Sequence, residues 1–327
     1  MGYKVSMSNE HAVSATGASP RAAIRRSKIR AITRNWELYL LALIPTAYII
    51  IFHYIPMYGA QIAFKRFIPA LGIWGSNWVG VTNFVRFFNS YQFVMLLRNT
   101  IVINIYQLIA GFPIPIMLAF LLHYCPFVRY KKTVQMTTYA PYFISTVVMV
   151  GILLRILALR NGIVNNIIGI VGLAPINWMG EPGLFYHVFV WSGVWQHMGW
   201  GSIIYLAALA GVDPELHEAA RVDGATMMQR IRHVDFPSIL PTVVILLILQ
   251  SGQMLSVGFE KIFLMQNSLN LRVSEVIQTY VYKIGLAAAS PNFSYAAAIG
   301  LFASVVSFTL LLIVNRIARR IGETSLW

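Results

Sequence analysis

The stretch VDPELHEAARVDGATMMQRIRHVDFPSILP, Val212–Pro241, decides how the rest of the chain is read. Asp213 can cap a helix whose first residue is Pro214, where a proline forfeits no hydrogen bond. Leu216, Ala219 and Ala220 then fall on one face, with Glu215, Glu218 and Arg221 on the polar side. Glu218 and Arg221 are three apart and can pair. Gly224 interrupts the pattern and can take positive φ, turning the chain sharply. A second short helix is expected from Ala225, with Met227, Met228, Ile231 and Val234 apolar. Pro237 and Pro241 mark the entry into the next apolar run. The result is a helix–turn–helix bracket whose apolar surface is alanines, methionines and one leucine. Small residues allow close approach and methionines adapt, which suits a short helix seated in a groove of another protein. Joined rigidly to two apolar runs, such a bracket would carry a push from its partner into both.

Those runs dominate the sequence. Six, near residues 36–58, 96–123, 134–157, 184–211, 239–264 and 295–316, reach the about 20 residues that a bilayer crossing needs. The bracket joins the fourth to the fifth. Of 327 residues, 57% are apolar and 11% charged, against roughly 25% charged in soluble domains. Length alone would allow about two domains, but the runs argue for one continuous bundle. Pro45 lies inside the first run and Pro113 and Pro115 inside the second, where a kink is expected; neighbouring helices can satisfy the carbonyls so freed. With the N-terminus inside, the cytoplasmic pieces are 1–35, 125–132, 212–238 and 317–327 with Arg316. They hold 16 of the 25 Lys+Arg, while the outer pieces 59–92, 158–183 and 265–294 hold 6. This asymmetry predicts both ends in the cytoplasm.

The net charge is +14, a balance that elsewhere points to nucleic acid. Here much of it sits in the first 35 residues and in short loops beside apolar runs, as at cytoplasmic flanks facing anionic lipid. Membrane lipid is the expected partner, and no nucleic acid. The first apolar run is longer than the about 7–15 residues of a signal h-region, so a retained span is expected rather than a cleaved leader. The single Cys125 excludes an intrachain disulfide and a thiolate metal cluster, and reads as a small buried apolar residue. His53, His123, His187 and His197 have no metal-ligand spacing. Neither H-E-x-x-H nor G-x-S-x-G occurs, which argues against an intramembrane enzyme.

Two outer pieces have character of their own. Residues 59–92, with Trp74, Trp78, Gly72, Gly75 and Gly80, read as an interfacial or loop region. In 273–286, Val273, Ile277, Tyr280, Val281 and Ile284 share one face, predicting a short amphipathic helix on the outer surface. Ala296, Gly300 and Ser304 repeat every four residues, a close-approach face within the bundle or against a partner.

Glu218-Ala219-Ala220, Asp223-Gly224-Ala225 and Phe236-Pro237, in that order and spacing, resemble the EAA loop of type I ABC importer permeases. Val234 stands where the motif usually has isoleucine, and Gln229 with Ile231 also fits. The segment Phe259–Met265 and the ending from Asn315-Arg316 to Ser325-Leu326-Trp327 are similar to the oligosaccharide and polysaccharide branch of carbohydrate permeases, the LplB-like group, which includes permeases for alginate oligosaccharides. The resemblance implies an all-α polytopic membrane protein of six transmembrane helices, the type I importer (MetI-like) fold, in the inner membrane. It divides the chain into a basic cytoplasmic segment 1–35, a first span with its periplasmic loop 36–94, a permease core 95–316 containing the loop 213–237, and a cytoplasmic tail 317–327.

The resemblance also implies the function: a permease subunit that forms the path for a sugar delivered by a solute-binding protein. Its implied partners are a second, different permease, an ATPase dimer and that binding protein. ATP and Mg would be bound by the ATPase subunits and no cofactor by this chain, which has no Gly-rich loop ending in Gly-Lys-Ser/Thr. Glu218 would anchor the docked helix and Gly224 supply its turn, with Ala219, Ala220, Asp223, Ala225 and Pro237 completing the coupling site. Asn104, Gln107, Trp191, Trp195, Gln196, His197, Gln250, Gln253 and Glu260 are candidates for the substrate path. Polar groups in spans face a cavity or the bundle interior, and aromatic faces beside amides suit sugar rings. The competing use is interhelical hydrogen bonding, or interface anchoring for the tryptophans. Lys65, Arg66, Arg86, Arg272 and Lys283 are available on the outer side to an acidic sugar. The alternative is a secondary transporter or channel, for which the chain shows neither an inverted repeat nor a series of intramembrane acids.

Overall fold

Backbone groups within a bilayer must be satisfied inside their own segment, and the long apolar runs accordingly form helices. The computed structural model describes residues 34–252, 255 and 258–322, with side chains to 319. Gln253, the basic segment before Arg34 and the ending Ser325–Trp327 lie outside the described residues. Among those described, four helices are long and apolar enough to cross a membrane, or five if one bent pair is a single crossing.

The chain divides into two compact units, Met1–Gly59 and Ala60–Trp327. In the first, α1 (Trp36–Ile49) passes through a wide π turn, Ile50–Tyr54, into Ile55–Met57. Pro56 lies two residues past that turn. Its ring would collide with the carbonyl four residues back, and the wider turn relieves the collision without ending the helix. Leu38, Leu41, Ile44 and Phe52 are all exposed, as in a helix apolar on every side.

In the second unit the expected loop region 59–92 is folded. Strand β1 (Lys65–Arg66) pairs antiparallel with β2 (Asn77–Trp78), placing Lys65 opposite Trp78. Lys65 is buried, donates to the Ile73 carbonyl at 2.6 Å and lies over the Trp78 ring. A short helix, α2 (Thr82–Phe88), follows. Helices α3 (Gln92–Gly111) and α4 (Pro113–His123) make one apolar helix of 32 residues. Phe112 still donates to the Leu108 carbonyl at 3.0 Å, and the ladder lapses just past it, where Pro113 and Pro115 supply no N–H.

Two predicted spans are interrupted. The run 134–157 is α5 (Val128–Tyr139) and α6 (Thr146–Ile156), bent by 103°. Pro141 interrupts the ladder, and Ser145 starts α6 afresh by accepting from the Val148 N–H. The run 239–264 is also broken. Its first part ends at Ser251, and a separate helix Phe259–Met265 begins after Gly258. Gly252 and Gly258 flank the gap, each costing a continuous helix about 1 kcal/mol.

The remaining elements complete the bundle. They are α7 (Ile163–Ile170), α8 (Pro182–Ala210), α9 (Pro214–Val222), α10 (Met227–Arg230), α11 (Phe236–Ser251), α12 (Phe259–Met265), α13 (Leu271–Ser274), α14 (Ile277–Tyr282) and α15 (Phe293–Gly322). The amphipathic helix expected over 273–286 starts later, at Ile277, and runs through a π turn, Lys283–Ala287. Val276 is extended and separates α13 from α14. Val273 packs with Phe189 and Met265, and Ile277, Tyr280, Val281 and Ile284 pack with Phe87, Leu96 and Tyr295. The apolar face meets protein rather than lipid. A third cluster, Ala119, Tyr205, Leu209, Ile239 and Val243, joins α4, α8 and α11. A Cβ at Gly199 would stand 2.1 Å from the Thr138 carbonyl oxygen, so α8 meets the end of α5 backbone to backbone. On α15, Ala296 packs on Gly285, while Gly300 and Ser304 line an open apolar groove of about 930 Å³.

Candidate functional site

The bracket is built from local rules. Asp213 caps α9, its carboxylate accepting from the Glu215 N–H at 2.9 Å. At the other end Gly224 adopts φ +74°. The Ala225 N–H donates to the Ala220 carbonyl at 2.8 Å and the Gly224 N–H to the Arg221 carbonyl at 3.0 Å. These are the two bonds of a Schellman motif. Glu218-Ala219-Ala220 and Asp223-Gly224-Ala225 are therefore the body and the stop of one capped helix.

The second arm differs from expectation. It is capped by Thr226, not begun at Ala225: Thr226 and Gln229 form a reciprocal capping box. Nor is it a separate short helix. Helix α10 continues through a π turn, Ile231–Asp235, into α11, giving one apolar helix over Met227–Ser251. Pro237 lies two residues past this π turn, the offset found at Pro56. The expected Glu218–Arg221 pair does not form either. Among the described residues the ion pairs are His217–Asp235 and Lys283–Glu275; Glu218 and Arg221 are both exposed and solvated.

Glu218, Ala219, Asp223, Gly224 and Pro237 are exposed, and Ala220 and Ala225 half-buried. Leu216, Val222, Met227 and Met228 also stand exposed, Val222 at 88%. Beneath them is a polar cluster that the sequence did not single out. Asp235 is fully buried. Tyr124, just past α4, donates to its Oδ2 at 2.5 Å, and His217 Nε2 lies 3.0 Å from its Oδ1. Burial, then the bond to Asp235, pushes the Tyr124 hydroxyl up to about 12, so it remains the donor. The Arg230 guanidinium lies over the Tyr124 ring. A cleft of about 490 Å³ opens beside the cluster, lined among others by Pro126, Leu209, Pro214, Glu218 and Arg221.

The candidate path residues separate into two groups. Gln196 is buried and donates to the Ile144 carbonyl at 3.0 Å, tying α8 to the bend before α6. Asn104 donates to the Thr100 carbonyl of its own helix. Both amides are thus engaged in the fold. His197 and Gln250 instead line a cavity of about 600 Å³ between α4, α8 and α11, with Pro115, Trp200 and Leu249. The Tyr142 ring stacks on Trp200 at 4.6 Å between centroids and meets His197 edge-on. Trp191, exposed, donates to the Tyr106 hydroxyl at 2.8 Å, which in turn bonds His187 Nδ1 at 2.8 Å. Trp195 is exposed on α8, and Gln107 is half-buried on α3. Glu260 is exposed in the first turn of α12, and Gln253 is outside the described residues. Trp200, Tyr106 and His187 were missed, although the spacing 187, 191, 195 on α8 is a helical stripe. Among the described residues no cluster of three His, Cys, Asp or Glu could hold a metal.

Residues 101–323 match the family described as binding-protein-dependent transport system inner membrane component. The chain is 39% identical over 303 residues to the polygalacturonan/rhamnogalacturonan transport system permease protein YteP of Bacillus subtilis (strain 168), covering 93% of this chain and 94% of that protein. It is 39% identical over 311 residues to Protein LplB of the same organism, with 95% of each covered. Its fold is similar to a chain in the crystal structure of a bacterial alginate ABC transporter in complex with alginate pentasaccharide-bound periplasmic protein. There the TM-score is 0.84 and the identity 36%, over 91% of this chain and 99% of the other. With the EAA-type bracket in place and the MetI-like permease fold around it, the chain belongs to the family of inner-membrane components of binding-protein-dependent transport systems, as a multi-pass permease subunit.

Proposed function

We propose that this subunit forms part of the translocation path of an ABC importer for an oligo- or polysaccharide, driven through the bracket 213–237 by ATPase subunits. The observation that carries the coupling role is the set of exposed apolar side chains on the two capped arms of the bracket, Leu216 and Val222 on α9 and Met227 and Met228 on α10. Apolar groups clustered on a polar loop mark a surface that a partner covers. The ATPase dimer would dock there, with ATP and Mg on its own subunits; the chain lacks the phosphate-cradling Gly-Lys-Ser/Thr loop.

Six crossings would be made by the four apolar helices, the bent pair α5–α6 taken as one, and the 29-residue α8. The distribution of Lys and Arg supports both ends in the cytoplasm, consistent with the division 1–35, 36–94, 95–316 and 317–327. The second permease and the external binding protein complete the assembly. An acidic polysaccharide is the substrate class favoured by the relatives, one named for polygalacturonan/rhamnogalacturonan transport and one an alginate ABC transporter. The stacked Tyr142 and Trp200 beside His197 and Gln250 offer flat apolar faces next to hydrogen-bonding groups, the pairing that a sugar ring needs. Vesicles containing the co-purified complex should take up labelled alginate or polygalacturonate oligosaccharides only with ATP and the binding protein. Uptake on an ion gradient alone would overturn this reading in favour of a secondary transporter.

A further inference from the structure

Helix α9 has no buried residue of its own. Apolar burial therefore contributes little to how it sits on the bundle, and a polar contact adds to it. A carboxylate in a protein interior is costly unless it is paired, and Asp235 is 0% exposed. Its Oδ2 accepts from Tyr124 past the end of α4, and its Oδ1, which has no hydrogen bond, stands 3.0 Å from His217 Nε2 in the middle of α9. Asp235 itself ends the π turn that leads into α11. One carboxylate thus joins three elements. Glu218, the next residue after His217, points to solvent.

We propose that Asp235 is a positioning residue for transport: through His217 it holds the bracket helix at a fixed setting on the fifth span, so that displacement of α9 is delivered to α10–α11. The inference rests on the proposed coupling role of the bracket. Asp235 lies outside the residues that carry the motif resemblance, and its role is to orient the docked helix rather than to touch the partner.

The test uses the whole complex with its co-purified ATPase and binding protein, comparing Asp235→Asn, His217→Leu and His217→Gln. The readouts are ATPase retained and solute taken up per ATP hydrolysed. Asp235→Asn and His217→Leu should retain the ATPase but lower uptake per ATP about five- to tenfold, the scale of one lost buried polar contact. His217→Gln, which still offers a donor to Oδ1, should keep at least about half of the ratio. His217→Leu leaves the Tyr124 bond to Asp235 in place, so it tests the tie even if Asp235→Asn does not fold. Wild-type ratios in both Asp235→Asn and His217→Leu would overturn the proposal. So would loss of the ATPase in every variant including His217→Gln, because the cluster would then be part of docking itself. A wild-type chain that retains no ATPase would instead overturn the coupling reading on which the inference stands.

Discussion

Replacing Gly224 separates backbone cost from side-chain contact. Its φ of +74° lies in the left-handed region, and a Cβ built there has nothing within 4 Å. The Cβ of Gly224→Val therefore meets no neighbour, and its main cost is conformational, about 1–2 kcal/mol. Gly224→Asn costs less, because asparagine visits this region more readily. At about 1.4 kcal/mol per tenfold, valine would cut the population of the capped turn roughly five- to thirtyfold relative to its opened forms. The Ala225–Ala220 and Gly224–Arg221 bonds are lost with it. The assay is ATP-dependent uptake in vesicles, alongside the amount of ATPase that co-purifies. Valine should lower both, and asparagine should lie close to wild type. Normal uptake and co-purification with valine would refute the idea that this turn sets the docking surface. Asparagine as damaging as valine would refute the conformational argument, since both then act by bulk at a position with open space.

Other expectations follow from the packing. Gly199→Ala places a methyl where the Thr138 carbonyl lies 2.1 Å away, so it should destabilise the chain by about 1–3 kcal/mol, read as a lower thermal midpoint in detergent. Gln196→Leu removes the bond to Ile144 and should cost roughly 1–2 kcal/mol of stability in the same measurement, leaving uptake per folded molecule unchanged. Trp200→Ala removes the ring stacked on Tyr142 at the edge of the cavity. It should raise the half-saturating solute concentration about three- to tenfold with basal ATP hydrolysis unaltered; unchanged saturation would remove this cavity from the path.

The bracket was legible in the sequence because its rules are local. Asp213 before Pro214, Gly224 past the last turn and the order of the motif residues need no knowledge of the rest of the chain. Element breaks were harder, since a hydropathy reading averages over single residues. Pro141 and Ser145 announced the bend in 134–157, yet the surrounding apolar residues outweighed them. The face shared by Ile277, Tyr280, Val281 and Ile284 was read correctly as apolar, but periodicity cannot say whether lipid or protein lies opposite. Asp235 is the extreme case. In the sequence it is one acid in a basic loop, and its burial depends on Tyr124, 111 residues earlier. The substrate path is similar: Trp200 became a candidate only when Tyr142, from the bent pair, was seen stacked on it.

The prolines show how far a sequence signal can be sound and still mislead. Pro237 was read as the entry to a span, a boundary between bracket and membrane helix. The structure keeps the helix intact across it, because the π turn at Ile231–Asp235 absorbs the steric conflict. The two ends of the bracket therefore differ mechanically. Towards the fourth span, α8 stops at Ala210, and Gly211–Asp213 form a short non-helical turn before α9. Towards the fifth, the Thr226–Gln229 box opens a helix that is uninterrupted to Ser251. A continuous helix carries a bending moment along its length, whereas a three-residue turn acts as a joint. On the proposed coupling role, a force on α9 is then shared unequally. The joint lets α8 stay on Thr138 through Gly199, while the tie from His217 to Asp235 loads the fifth span directly.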